Sequence, residues 1–180
     1  MDNKHRTGYE LDRDTHPRNT MTEAVKYQKL IKKYGDPMKY TRAFESQHMV
    51  LWPIPMWIDT HIPALPNKIY INKDIVGVFE ETMNSLIATS VYKEITTFDG
   101  MFNVRYIRGS KTKLSIHSWG LAVDFNAAHN PLGHTKEMCR AKGLTPFTDD
   151  FDNVFRNLGW TCGSGFSRAD GMHFEYTKHL

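Results

Sequence analysis

The sequence predicts an α+β fold, with a small, mostly antiparallel sheet flanked by helices. Three observations predict it. Apolar residues recur at helical spacing early in the chain, between Thr20 and Ile87. Short alternating stretches cluster later, from Glu94 to Tyr176. The 180 residues are 40% apolar and 24% charged, enough for one domain with a sizeable core. That order, helices first and strands later, is the α+β signature.

Residues 1–19 are polar and charged and read as an N-terminal arm; 20–180 read as one domain. Within it, 20–94 form a helical and extended part and 95–180 the core. Thr20 and Glu23 have capping-box spacing, and Val25, Leu30, Ile31 and Tyr34 then share a helical face that ends at Gly35 and Pro37. Residues 36–69 are punctuated by Pro53, Pro55, Pro63 and Pro66 and by Trp52 and Trp57. Prolines this dense predict an extended segment wrapped on the domain, its tryptophans packed inward rather than facing a substrate.

Lys68–Ile71 is a short strand pattern. Asp74 can cap a helix with an inward stripe of Ile75, Val78, Phe79, Met83, Leu86 and Ile87. Glu94–Phe98 and Phe102–Ile107 read as a hairpin turning at Asp99-Gly100, and Leu121–Phe125 as a strand entered through Gly120. Residues 129–134 read as loop. Thr148 or Asp149 starts a helix with Phe151, Val154, Phe155 and Leu158 inward, stopped by Gly159. Residues 160–168 are turn-like, and Met172–Tyr176 is the final strand.

Composition narrows the function. A net charge of +3 without a Lys/Arg run gives nucleic-acid binding little support; it is compatible with a weak attraction to a polyanionic surface such as a bacterial cell wall but does not imply one. Cys139 and Cys162 form no CxxC pair, which removes a structural cysteine zinc site. Two reduced, packed thiols are favoured over a disulfide. No apolar run has the length of a signal-peptide core or a membrane helix, so the expectation is no export by a standard signal and no membrane insertion.

The chemistry gathers in Ser115–Asp124, completed by Asp170–Glu175. His117, Asp124 and His173 make a two-imidazole, one-carboxylate set of the kind that holds a catalytic zinc with a fourth position open. Asp124 projects from the 121–125 strand, His117 reaches in from the preceding loop, and His173 lies on a strand able to pair alongside. A carboxylate as third ligand leaves the site near +1 in charge. Hydrolysis also needs a base to orient water and pass a proton to the leaving amine. Asp170 and Glu175 compete for that role, and spacing favours neither. Taken singly, either histidine is more often a hydrogen-bonded structural residue. Asp124 inside an apolar strand is harder to dismiss, because an unpaired buried carboxylate is costly. His129 and His134 read as solvated loop residues outside the site.

The pattern Ser115-x-His117-x-x-Gly120-x-Ala122-x-Asp124 followed by Asp170-x-x-His173 resembles the zinc D-alanyl-D-alanine carboxypeptidase and L-alanyl-D-glutamate peptidase family. The context Gly159-Trp160-x-x-Gly163-x-x-Phe166 is similar to the endolysin type found in bacteriophages. The resemblance covers about Ile95 to Tyr176. It implies zinc held by His117, Asp124 and His173, Asp170 as catalytic base, and an arginine holding a substrate carbonyl or carboxylate. Arg105 is the first candidate for that arginine and Arg108 the second; the bland alternative for Arg105 is a pair with Asp99 or Glu94. Ser115 matches a family serine that binds substrate or supports a ligand, although a turn residue there would look the same. Cys162 stands where many relatives carry tryptophan, a change expected at the groove wall.

Asp rather than Glu at position 170 tilts the resemblance toward an endopeptidase that cuts the L-alanyl-D-glutamate bond of the peptidoglycan stem peptide. The expected setting is a monomeric phage lysin, held in the host cytoplasm until lysis or carried on the virion. The alternative keeps the zinc site and releases terminal D-alanine as a carboxypeptidase. A third reading, from another class, is a non-catalytic wall-binding module propped by zinc. Asp170 argues against it, since a structural site has no need of a base.

Overall fold

The computed structural model describes residues 22–180. The arm expected over 1–19 and the cap expected at Thr20 lie outside them. Helix α1 runs Glu23–Tyr34, and its N-cap is Thr22, whose hydroxyl accepts the Val25 N–H. Gly35 ends it at φ 77°, a left-handed value that suits glycine. The buried face is rotated from the expected one. Lys26, Leu30 and Tyr34 point inward at i, i+4 and i+8, while Val25 is exposed.

The proline-rich stretch is more structured than its composition suggests. It contains helix α2 (Thr41–His48), strand β1 (Met49–Pro53) and helix α3 (Met56–His61). Two of the prolines sit where a missing N–H costs little: Pro53 closes β1 and Pro55 is the N-cap of α3. Strand β1 pairs antiparallel with β2 (Lys68–Asn72) as a two-stranded sheet. Trp52 packs edge-on against Phe79 as expected, but Trp57 is exposed.

A short 3-10 turn, Lys73–Ile75, leads into helix α4 (Val76–Ala88), which buries Phe79, Thr82, Met83 and Leu86. The capping side chain is Asn72, which accepts the Asp74 N–H; Asp74 instead accepts the Tyr34 hydroxyl proton at 2.7 Å.

The second sheet has four antiparallel strands: β3 (Phe98–Gly100), β4 (Ala122–Phe125), β5 (Thr161–Cys162) and β6 (His173–Glu175), in the spatial order β3-β4-β6-β5. The expected hairpin of 94–98 with 102–107 does not form. Residues 91–94 are a 3-10 turn, and Asn126 Oδ1 accepts the N–H groups of Thr96 and Thr97 in place of a ladder. Only Tyr106 bridges to Leu114 in the second stretch. Its backbone is bound instead to the 3-10 turn Ile116–Trp119: Asn103 N–H donates to the His117 carbonyl and Arg105 N–H to the Ser118 hydroxyl.

Helix α5 (Lys136–Ala141) follows the 129–134 loop, and α6 (Asp149–Asn157) starts from a Thr148 cap. Cys139 on α5 and Cys162 on β5 are buried and unpaired. Among the described residues, no helix is long and apolar enough to cross a membrane.

One face of the four-stranded sheet packs on an aromatic layer. Val123 and Phe125 of β4 and Phe174 of β6 are buried there, with Phe174 stacked on Phe155 of α6 at 4.1 Å between centroids. Phe147 and Phe151 stack at 4.0 Å and also meet Phe174. Cys162 pairs in register with Phe174 and joins this core, so it does not form a groove wall. Truncating Phe174 to alanine is expected to cost about 3–5 kcal/mol of unfolding free energy, through lost burial and the cavity left behind. Urea denaturation of F174A checks this; a loss below about 1 kcal/mol would show that the layer does not hold the sheet.

Candidate metal centre

The alternation of a strand puts Asp124 on the face opposite Val123 and Phe125, and likewise puts His173 and Glu175 opposite Phe174. Register then does the rest: in the β4–β6 ladder Asp124 is paired with His173 and Ala122 with Glu175. His117 enters from the 3-10 turn, which ends at Gly120 with φ 64°. A Cβ on Gly120 would stand 2.6 Å from Met49 Cε, so this chain reversal suits glycine on two counts. The turn is braced by Asn72, whose side-chain amide donates to the Trp119 carbonyl at 2.9 Å.

The three side chains converge. His117 Nε2 lies 3.1 Å from Asp124 Oδ1, His173 Nδ1 lies 3.0 Å from the same oxygen, and the two ring nitrogens are 3.1 Å apart. The outer nitrogens are tied. His117 Nδ1 faces the Met101 carbonyl at 2.8 Å and His173 Nε2 faces Glu175 Oε2 at 3.2 Å. A carbonyl only accepts, so His117 Nδ1 carries the hydrogen and its Nε2 lone pair points inward. The contact with Glu175 orients His173 the same way. Once His173 gives up the proton it holds toward Asp124, lone pairs from two rings and a carboxylate meet at one point, a donor set for a cation.

Size agrees. Ligand atoms roughly 2.0–2.1 Å from zinc at tetrahedral angles stand about 3.3–3.4 Å apart. The observed triangle needs to open by only a few tenths of an ångström by that measure. These residues fit a zinc ion, with the carboxylate-to-histidine contact behind the ligand that such centres use.

Electrostatics follow the same contacts. Burial by itself raises the Asp124 carboxyl, but its contacts with His117 and His173 outweigh it and hold the group well below the ordinary carboxylate range. Burial by itself lowers His173, yet its bonds to Asp124 and Glu175 push it up to about 9. Glu175 is held below its ordinary value, against burial, by His173 and by Lys26. It is thus committed to two partners and is not placed to act as a base.

Asp170 is different. Its Oδ1 is buried with no hydrogen-bond partner, and burial, helped by the Asp124 charge, raises its pKa. The backbone around it is fixed: Asp170 N–H donates to the Gly163 carbonyl at 2.8 Å, and its own carbonyl accepts the His173 N–H at 3.0 Å. Any side chain on Gly163 would collide with the Asp170 carbonyl.

A cleft opens beside the triangle, lined by Asp99–Asn103, Arg105, His117 and Asp124. Arg105 therefore borders the site, though from an irregular segment and not from a strand. Its carbonyl accepts from Ser115 N–H and Ser118 Oγ, and its N–H donates to Ser118 Oγ. Ser118, fully buried, is the residue that pins this segment, and nothing in the local sequence singles it out. Ser115 is buried and acts through its backbone; Arg108 is exposed and lies outside the cleft lining. His129 and His134 also lie outside it, bound to Thr145 N–H and to Lys142 respectively.

Residues 108–176 match the family model described as D-alanyl-D-alanine carboxypeptidase. Comparison with curated proteins and with solved structures yields no match.

Metal binding at this triangle has a proton cost. With His173 holding its proton up to about pH 9, zinc entry at pH 7 is expected to release about one proton, and zinc affinity to fall about tenfold per pH unit through the range below 9. Calorimetric titration of zinc in buffers of different ionisation heat measures the proton count. A count of zero would show that His173 holds no proton at pH 7 before the metal enters.

Proposed function

We propose that the chain is a zinc-dependent peptidase of peptidoglycan, of the bacteriophage lysin kind, cutting the L-alanyl-D-glutamate bond of the stem peptide. The observation that carries the proposal is Asp170. A half-buried carboxylate with one buried, unpartnered oxygen and a raised pKa stands three residues before His173, in the field of the His/Asp/His triangle. A merely structural metal site has no use for such a group. The family match over 108–176 supports the peptidase reading at the coarse level.

The chemistry supplied by a bound zinc is Lewis acidity toward a carbonyl oxygen and toward water. His117, Asp124 and His173 would hold it, with His117 locked by the Met101 carbonyl and His173 by Glu175. Asp170 takes the proton of the attacking water and returns it to the leaving amine; its raised pKa brings it closer to the working pH of such a base. Arg105, at the rim of the cleft, offers a planar guanidinium to the substrate carbonyl or to a carboxylate of the D-glutamyl residue.

A second reading is favoured by the description of the matched family model, which names D-alanyl-D-alanine carboxypeptidase. The same centre would then release terminal D-alanine. Incubation of zinc-loaded protein with purified peptidoglycan, followed by mass analysis, separates the two. Fragments that end at L-alanine mark the endopeptidase, free D-alanine marks the carboxypeptidase, and stem peptides left whole sink both.

Asp170→Asn should keep zinc affinity while lowering turnover by about 10²–10⁴-fold, the range expected for loss of a general base. Turnover unchanged in D170N, with zinc bound, would remove Asp170 from the mechanism.

A further inference from the structure

Lys26 is buried on a helix whose other inward side chains are Leu30 and Tyr34. Its ammonium lies 2.7 Å from Glu175 Oε1 and 2.7 Å from Glu23 Oε1. Glu23 is largely exposed, so the desolvated partner is Glu175. The two oxygens of Glu175 are divided between two tasks: Oε1 accepts from Lys26, and Oε2 faces His173 Nε2 at 3.2 Å. A chain of contacts thus runs from helix α1 through Glu175 to the ring whose Nδ1 belongs to the triangle.

Stability does not account for this arrangement. A buried ion pair is commonly no better than apolar groups of the same volume. What the pair provides is position. A carboxylate held at one oxygen can still turn about its last bond, whereas one held at both cannot.

We propose that Lys26 is a positioning residue for the metal centre: by holding Glu175 Oε1 it fixes the carboxylate that orients the His173 ring. The inference rests on reading His117, Asp124 and His173 as a zinc site. It makes helix α1, outside the 108–176 segment, part of the machinery that shapes the centre.

The test is zinc affinity, by competition with a chelator, in the full chain and in K26M, E175Q, K26M/E175Q and E23Q. K26M is expected to bind zinc about 10–100-fold more weakly, the loss typical of disturbed support behind a ligand. E23Q should bind like the unaltered protein. The double variant should bind no more weakly than E175Q alone, because Lys26 acts only through Glu175.

K26M strips a buried carboxylate of its cation and can fail to fold; K26Q, shorter and neutral but still polar, is measured in that case and is likewise expected to bind zinc more weakly, unchanged affinity overturning the proposal. In cobalt-substituted protein, the exchangeable N–H proton of His173 should give a shifted proton resonance that persists in the unaltered chain and exchanges away in K26M. General destabilisation would not produce that change. A folded K26M with unchanged zinc affinity, or a double variant weaker than E175Q, overturns the proposal. If the unaltered protein binds no zinc, the metal-centre reading fails and takes the proposal with it; bound zinc with K26M unaffected overturns the proposal alone.

Discussion

Antiparallel pairing of β4 with β6 sets Asp124 opposite His173, and the rest of the site depends on that register. A slip of β6 by one residue would turn His173 to the aromatic face, away from Asp124, and bring Phe174 into the cleft. The register is held from behind. Phe125 and Phe174 are locked into a layer with Phe147, Phe151 and Phe155, so the apolar face and the polar face constrain one another. Packing of the aromatic layer thus fixes the polar face on which the three side chains converge.

The buried charges are not equivalent. Asp124 has both imidazoles, and Glu175 has His173 and Lys26. These contacts offset desolvation and keep both carboxylates ionised. Asp170 has an oxygen with no partner and is pushed the other way. Two carboxylates within five residues of each other in sequence thus sit in opposite environments, one bound to a ring and a lysine and one with an oxygen left without a partner. Spacing alone left them level, because the difference lies in what covers them.

Several features were legible in the chain itself. The helix starting at Thr148, the α4 stripe, the 121–125 strand and the 172–176 strand follow from caps and periodicity, and the structure has them within a residue or two. Others were hidden. The alternation of Phe102, Val104 and Tyr106 looks like a strand, but its backbone groups are bound to Ser118 and to the His117 turn. Proline density concealed two short helices and a strand in the 36–69 stretch, because a proline at an element's end leaves the element intact. Arg105 was found for its residue type, and its place in the cleft comes from a segment that is not the expected strand.

By itself, the sequence determined the donor types and the local elements that carry them: His117 and Asp124 seven residues apart around a glycine turn, and Asp170 and His173 three apart at the start of a strand. These are short-range facts, set by backbone propensity and side-chain chemistry. Only the tertiary structure decided how they are used. The His117–His173 contact spans 56 residues, and the Lys26–Glu175 contact spans 149. No local pattern marks a lysine on an amphipathic helix as the partner of a carboxylate on the last strand. That assignment depends on which face of α1 turns inward, and the choice is made by packing against the completed sheet.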